Sequence, residues 1–190
     1  MQALARRVGQ LVLHPQATWS AIAAEPAVPR RDFGRVAVPL ALLGAGATAA
    51  GEVLTALIGR DPLLKGAIVG LGVYPALRLS TVALLGGVGG ALGRSFGIAL
   101  PNGRAHQLAV WSTAPVLAAG LFNVLPLGMN FAWFLAGSIF GAYTYFFGTA
   151  VFSDAHRERR LALTAVAFAT FFVANTLIEI PLRLILKYAL

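Results

Sequence analysis

Four charged residues lie inside long apolar stretches of this 190-residue chain: Glu52, Arg78, Glu179 and Arg183. A charge in the hydrocarbon core of a bilayer is costly, so such residues pair with one another or line a path for ions, protons or substrate. We expect Glu52 to pair with Arg78, or alternatively Arg78 with Glu179. Glu179 and Arg183 are four residues apart and can also pair along one helix. These charges indicate either a structural pair that fixes helix register or a polar path.

The other reactive side chains do not have the spacing of a catalytic or metal site. His14, His106 and His156 lack a second ligand three or four residues away, and the chain has no cysteine, so metal binding is not predicted. Ser138 lies in an apolar stretch and as a nucleophile would need a histidine base at the same depth. We therefore expect no enzymatic activity, no cofactor and no metal.

Five apolar stretches must position these residues: Val36–Ile58, Gly66–Leu92, Gln107–Leu127, Phe131–Phe152 and Leu161–Leu186. Each is about as long as the roughly 20 residues that a helix needs to cross a bilayer. The chain is 58% hydrophobic and only 12% charged, whereas a soluble domain is about 25% charged. The sequence therefore predicts an all-α polytopic membrane protein with five transmembrane helices.

Prolines and glycines interrupt the predicted helices. The prolines within them or at their ends are Pro39, Pro75, Pro115, Pro126 and Pro181. Each removes a backbone hydrogen bond and tends to kink a helix. Small residues four apart, such as Gly86 with Gly90 and Gly137 with Gly141, allow helices to approach closely. This spacing favours packing within one kinked bundle, with homodimerisation as the alternative.

Residues 1–35 precede the first apolar stretch, so we divide the chain into this amphipathic segment and a five-helix domain of residues 36–190. Val8 and Leu11 recur at helical spacing, and Trp19 lies in a second apolar stripe. One interpretation is a short helix lying in the membrane interface with Trp19 as its anchor. The other is a helix packed on the cytoplasmic ends of the bundle.

Lysine and arginine are distributed unevenly between the predicted loops. With five crossings, ten of them fall on the N-terminal side and three on the other side. The positive-inside rule then places the N-terminus in the cytoplasm and the C-terminus outside it. The net charge of +8 also predicts contacts with anionic lipids rather than with nucleic acid.

Two stretches of the chain carry a family-like pattern. Leu13–Pro26 contains a Pro–x–x–x–Trp–x–x–Ile sequence, and Ala109–Gly148 contains a Ser–x–x–Pro helix, a later proline and an aromatic helix with a tyrosine and a late glycine. The motif residues are Pro15, Trp19, Ser112, Pro115, Pro126, Tyr143 and Gly148. With the length, the five spans and the orientation, this pattern resembles the prokaryotic branch of the Yip family, the Ypt/Rab GTPase-interacting membrane proteins.

The resemblance implies a non-enzymatic membrane protein that binds partners or organises membrane, with residues 1–35 as the exposed contact surface. Eukaryotic members of the family engage Rab-type GTPases and carry an Asp-Leu-Tyr-Gly-Pro motif near the first span. Here that region reads Asp32-Phe-Gly-Arg-Val-Ala-Val-Pro39, so Rab binding is not expected. A protein partner of another kind, or a second copy of the chain, is expected instead.

The Ala-, Gly- and Leu-rich composition indicates a bacterial source, and hence the plasma membrane as the compartment. The alternative function is a small transporter or channel component that uses Glu52, Arg78 and Glu179. The two functions differ in one structural respect. A transporter requires these charges, together with Asn123, Asn175 and Thr176, to line a cavity open to water. A scaffold requires the charges to be paired in a filled bundle.

Overall fold

The computed structural model describes residues 1–59, 68–101, 103–125 and 130–189, and this part of the chain is helical, without strands. Two short helices come first, α1 (Gln2–Leu13) and α2 (Pro15–Ala24). The remaining helical segments are Pro29–Asp32, the π-helical Phe33–Ala37, Val38–Gly59, the π-helical Ile68–Val73, Tyr74–Ser95, Arg104–Ala119, the 3-10 helix Gly120–Val124, Asn130–Phe152 and Arg157–Ala189.

Within the described residues, five helices are long and apolar enough to cross a membrane, which confirms the predicted fold class. We number them as the first to fifth spans: Pro29–Leu57, Gly70–Ser95, Arg104–Val124, Phe131–Phe152 and Arg157–Pro181. The first span begins seven residues before its predicted start, because the helix continues through the π-helical segment without a break. The boundary predicted after residue 35 therefore falls inside this helix.

Successive spans run antiparallel, as their closest contacts show. Gly44 of the first span faces Tyr74 of the second, whereas Ala49 further along faces Gly70. The same reversal relates the third and fourth spans, where Gly137 faces Val116 and Gly141 faces Ser112. The first, third and fifth spans therefore begin at one end of the bundle. We call it the N-terminal end, because α1 and α2 contact the start of the third span and the end of the fourth there.

The third span occupies the centre of the bundle. Every residue from Gln107 to Leu117 is buried. This span contacts the first, second and fourth spans as well as α1. In the fourth span, Gly137 and Gly141 lie where a Cβ atom would meet the third span or Phe168 of the fifth. These glycines let the helices approach within the chain, as the favoured interpretation expected.

Two of the predicted kinks coincide with π-helical turns. Phe33–Ala37 comes just before Pro39, and Ile68–Val73 comes just before Pro75. A proline ring would clash with the carbonyl four residues earlier, and a wider π-helical turn relieves that clash while keeping the helix continuous. Pro115 and Pro181 lie within the helices of the third and fifth spans. Pro126 lies outside the described residues.

The N-terminal segment forms two helices, because the residue before a proline avoids helical geometry. His14, which precedes Pro15, has φ −135° and ψ 60° and separates α1 from α2. Trp19 of α2 is fully buried, and its indole N–H donates to the Thr144 carbonyl at 2.7 Å. The expectation of Trp19 as an interfacial anchor is therefore wrong. Because α2 packs against the fourth span, Trp19 is held by protein rather than by lipid.

Replacing Gly148 with alanine should destabilise the protein by about 1–3 kcal/mol, the usual cost of overpacking. The new Cβ would lie 2.7 Å from the Trp19 ring. Gly87 is the matched control, because it lies in the helix of the second span with nothing within 4 Å of an added Cβ. Gly87→Ala should be neutral, or stabilising by up to about 1 kcal/mol. Thermal unfolding in detergent, followed by circular dichroism, compares the two variants. Equal unfolding temperatures would contradict the proposed contact.

Candidate functional site

Arg78 of the second span is buried and bound to the fifth span. Its Nη1 donates to the Asn175 side-chain oxygen at 2.5 Å. The Asn175 amide in turn donates to Glu179 Oε2 at 3.1 Å. Asn175 and Glu179 lie four residues apart and so occupy one face of the fifth span. The result is a polar chain of three side chains that links two spans, and we call it the Arg78 network.

Aromatic rings complete the surroundings of the Arg78 guanidinium. The central carbon of the guanidinium, Cζ, lies 4.2 Å from the centre of the Phe134 ring and 5.2 Å from the centre of the Tyr74 ring. The negative face of an aromatic ring attracts a cation, and more strongly where water is excluded. Arg78 Nε has no hydrogen-bond partner among the described residues. One amide and two rings, drawn from the second, fourth and fifth spans, therefore lie against the positive charge.

The structure does not bring Glu52 to Arg78. The register that pairs Gly44 with Tyr74 places Arg78 opposite residue 40 of the first span. Glu52 is twelve residues further on, which is about 18 Å along a helix. Its side chain is partly buried and forms no hydrogen bond or ion pair with the described residues. The expected Glu52–Arg78 pair is therefore absent from this part of the structure.

The alternative partner, Glu179, is connected to Arg78 through Asn175. The side chain of Arg183 lies outside the described residues. Charge alone could not identify Asn175, because a neutral amide inside an apolar stretch carries no electrostatic signal. Its spacing of four residues from Glu179 was the available clue. Another buried amide, Asn123, similarly donates to Thr48 of the first span at 3.0 Å.

Ser138 and His106 are not brought together. The Ser138 hydroxyl donates to the Phe134 carbonyl of its own helix at 2.8 Å. The contact of Gly137 with Val116 places Ser138 opposite residue 115 of the third span, about 14 Å along the helix from His106. The His106 ring instead packs against Gly86 of the second span. These positions fit a small interface residue and an exposed histidine whose ring touches the second span.

The described residues of the family-like motif meet where α2 packs on the third and fourth spans. Trp19 packs on Gly148, and Pro15 lines a cleft with Tyr143. The Ser112 carbonyl accepts a hydrogen bond of 3.4 Å from the Thr144 hydroxyl across the third and fourth spans. Pro115 lies one turn further along the buried third span. Most of the described motif residues therefore form contacts between elements, whereas Tyr143 is 44% exposed beside the cleft.

Polar contacts at the N-terminal end fix α1 and α2 to each other and to the bundle. Arg7 of α1 pairs with Glu25 at 2.5 Å, and its guanidinium lies 4.9 Å from the centre of the Trp111 ring. Arg104, at the start of the third span, donates to the carbonyls of Ala23 and Glu25 at 2.9 and 3.0 Å. These carbonyls belong to the last turn and the C-cap of α2, so Arg104 satisfies acceptors that a helix end leaves open.

Two clefts flank this pair of helices. One of about 550 Å³ lies between α2 and the fourth span and is lined by His14, Pro15, Gln16, Ala17, Ser20, Tyr143 and Phe147. The other, of about 540 Å³, runs between α1 and α2 and is lined by Ala3, Arg6, Arg7, Gln10, His14, Ala17, Thr18 and Ala21. Neither cleft is lined by Glu52, Arg78 or Glu179. The open surfaces of this region therefore belong to α1 and α2.

Asn175→Leu should destabilise the protein by about 2 kcal/mol, because it removes the hydrogen-bonded partner of a buried cation. In an Arg78→Met background the same replacement should cost about 1 kcal/mol less, since the cation is gone. Glu52→Leu is the control, and its effect should be equal in both backgrounds. Unfolding in mixed micelles with increasing SDS gives these free energies. An equal cost of Asn175→Leu in both backgrounds would show that the two side chains do not interact.

No family model, curated protein or solved structure matches this chain.

Proposed function

We propose that this chain is a non-enzymatic integral membrane protein that binds a partner through α1 and α2, as its resemblance to the Yip family implies. The observation that carries the proposal is the fixed position of these two helices on the bundle, with one face buried and the other exposed beside two clefts. A surface that is already ordered does not lose conformational entropy when a partner binds.

The buried face of α1 and α2 accounts for their rigid attachment. Leu11, Trp19 and Ile22 are fully buried, and Val8 is nearly so. Burying a large apolar side chain stabilises by about 1.5–3 kcal/mol. This face therefore has no area left for a partner or for the lipid interface, and any contact must use the opposite face.

The exposed face carries polar side chains and one arginine among alanines and Leu13. Arg6, Gln10, Gln16 and Ser20 are exposed along it, and Arg6 and Gln10 also line the cleft between the two helices. The antiparallel spans place ten arginines near this end, whereas Arg60, Lys65 and Lys187 belong to the other side. We assign the basic end to the cytoplasm of a bacterial cell, where the positive-inside rule would place it. A partner of acidic character or anionic lipid fits this charge.

A photoreactive amino acid at Gln10 tests the contact surface in the native membrane. We expect a crosslinked product of one defined mass, and we expect Ala17→Trp to reduce it severalfold, because the indole would fill the cleft beside Gln10. The matched position is Leu135, which is exposed on the fourth span and should crosslink to lipid only. A product of twice the chain mass would identify a second copy as the partner. Identical products from both positions, insensitive to Ala17→Trp, would contradict the proposal.

A small transporter or channel component is the second candidate, and the Arg78 network favours it. A cation, an amide and a carboxylate connect two spans, and ionisable groups within a membrane often mark a path for ions or substrate. The scaffold instead uses the same network to join the second and fifth spans. Water access to the network separates the two functions.

The chain contains no cysteine, so Asn175→Cys introduces a single thiol into the Arg78 network. Because Asn175 is 1% exposed, the scaffold predicts no reaction with a membrane-impermeant maleimide in proteoliposomes. Gln16→Cys is the control and should react fully, since Gln16 is exposed on α2. Rapid labelling of Asn175→Cys with an intact, folded bundle would favour the transporter and contradict the scaffold.

A further inference from the structure

A smaller cavity at the N-terminal end lies between α1, the start of the first span and the third span. Its volume is about 180 Å³, and it is partly open to the surface. Its charged and hydrogen-bonding side chains are Arg7, Glu25, Arg31, Asp32, Arg35 and Trp111. Because polar groups from three elements converge here, this cavity has the composition of a binding site rather than of a packing defect.

Two of the residues that line this cavity each carry a buried polar atom that lacks a partner within the described part of the chain. Asp32 and Trp111 are each 5% exposed. Asp32 Oδ2 accepts no hydrogen bond, and Trp111 Nε1 donates none. Leaving a buried donor or acceptor unpaired is costly. A ligand that offers one donor and one acceptor would satisfy both atoms.

The charges of the cavity leave one cation without a partner. Arg7 pairs with Glu25, and Arg31 pairs with the other carboxylate oxygen of Asp32 at 3.4 Å. Arg35 is exposed and forms no hydrogen bond or ion pair with the described residues. Three arginines against two carboxylates give the cavity a net charge of +1. This charge matches the single negative charge of a phosphodiester.

The position of the cavity matches the headgroup layer of a bilayer. Arg31 and Arg35 lie in the first two turns of the first span, and Trp111 lies seven residues into the third, about 10 Å along the helix. A volume of 180 Å³ equals that of about six liquid water molecules, which suits a phosphate with a short alcohol but not acyl chains. Leu42 and Leu43 are exposed two turns beyond Arg35 and offer an apolar surface for those chains.

We propose that this cavity binds the headgroup of an anionic phospholipid that carries a free hydroxyl, as phosphatidylglycerol does. The phosphate oxygens accept hydrogen bonds from Arg35 and from the Trp111 indole N–H, and the headgroup hydroxyl donates to Asp32 Oδ2. This site goes beyond the proposed binding of a partner and does not depend on it, because it lies on the bundle side of α1. The proposed lipid site and the proposed partner surface can therefore each be disproved without affecting the other.

Mass spectrometry of the intact protein in detergent, with defined lipids added, tests the ligand on the unmodified chain. Phosphatidylglycerol should be retained at least threefold more than phosphatidylmethanol, which has the same charge but no hydroxyl. Phosphatidylmethanol should in turn be retained more than phosphatidylcholine, which has neither a net charge nor a donor. Equal retention of phosphatidylglycerol and phosphatidylmethanol would overturn the hydroxyl contact with Asp32, and equal retention of all three would overturn the site.

Matched variants locate the site within the structure. Arg35→Gln should weaken phosphatidylglycerol binding about tenfold, the scale of a lost charge-assisted hydrogen bond. Arg30→Gln removes the same charge from an exposed residue of the same helix that does not line the cavity, and it should change binding less than twofold. Trp111→Phe keeps a ring beneath Arg7 but removes the N–H donor, and should weaken binding several-fold.

Circular dichroism and gel filtration confirm that each variant is folded before its lipid binding is compared. If Arg30→Gln and Arg35→Gln weaken phosphatidylglycerol binding equally, the lipid is attracted to the basic end in general. That result would overturn a site in this cavity. If a variant does not fold, the comparison of phosphatidylglycerol with phosphatidylmethanol on the unmodified chain decides the proposal.

Discussion

The burial of the third span is the constraint on which the rest of the structure depends. Its residues Gln107–Leu117 are all buried, so protein rather than lipid must cover it on every side. Three other spans cover most of it, and α1 and α2 close the N-terminal end. Dispersion contacts hold helices together in a bilayer, because lipid tails are as apolar as the side chains. Close approach at small residues such as Gly141 and Gly148 therefore stabilises the bundle more than hydrophobicity does.

The same constraint explains why Trp19 is inside the protein. Gly148 leaves a space on the fourth span, beside Leu108 of the third. The Trp19 ring fills that space, and its N–H bonds to the Thr144 carbonyl. An indole at a membrane surface commonly lies in the headgroup layer. Amphipathic spacing alone cannot distinguish an indole in the headgroup layer from one buried against the protein. The distinction depends on a glycine 129 residues away in the sequence.

The sequence predicted which segments form helices better than it predicted how these helices are aligned along one another. The five spans followed from the length of the apolar stretches, and the kinks at Pro39 and Pro75 followed from the chemistry of proline. The partner of Arg78 did not follow, because it depends on how far one helix slides along another. Pairing Glu52 with Arg78 assumed an axial offset of about 9 Å that the long arginine side chain could partly close, whereas the Gly44–Tyr74 contact sets one of about 18 Å. Small residues set that register, and their effect appears only when both helices are in place.

The chain accommodates its buried cation, Arg78, differently from the more exposed arginines at the N-terminal end. Arg78 of the second span contacts the Asn175 amide of the fifth span and the Phe134 ring of the fourth. These contacts therefore join three helices. At the N-terminal end, Arg7 and Arg31 have carboxylate partners, while Arg35 has none within the described residues. A charge deep in hydrocarbon must be satisfied by protein, because no other donor or acceptor reaches it. A charge at the membrane surface can instead be satisfied by lipid. This difference supports the proposal that ligands and partners act at the N-terminal end, while the contacts of Arg78 join spans of the bundle.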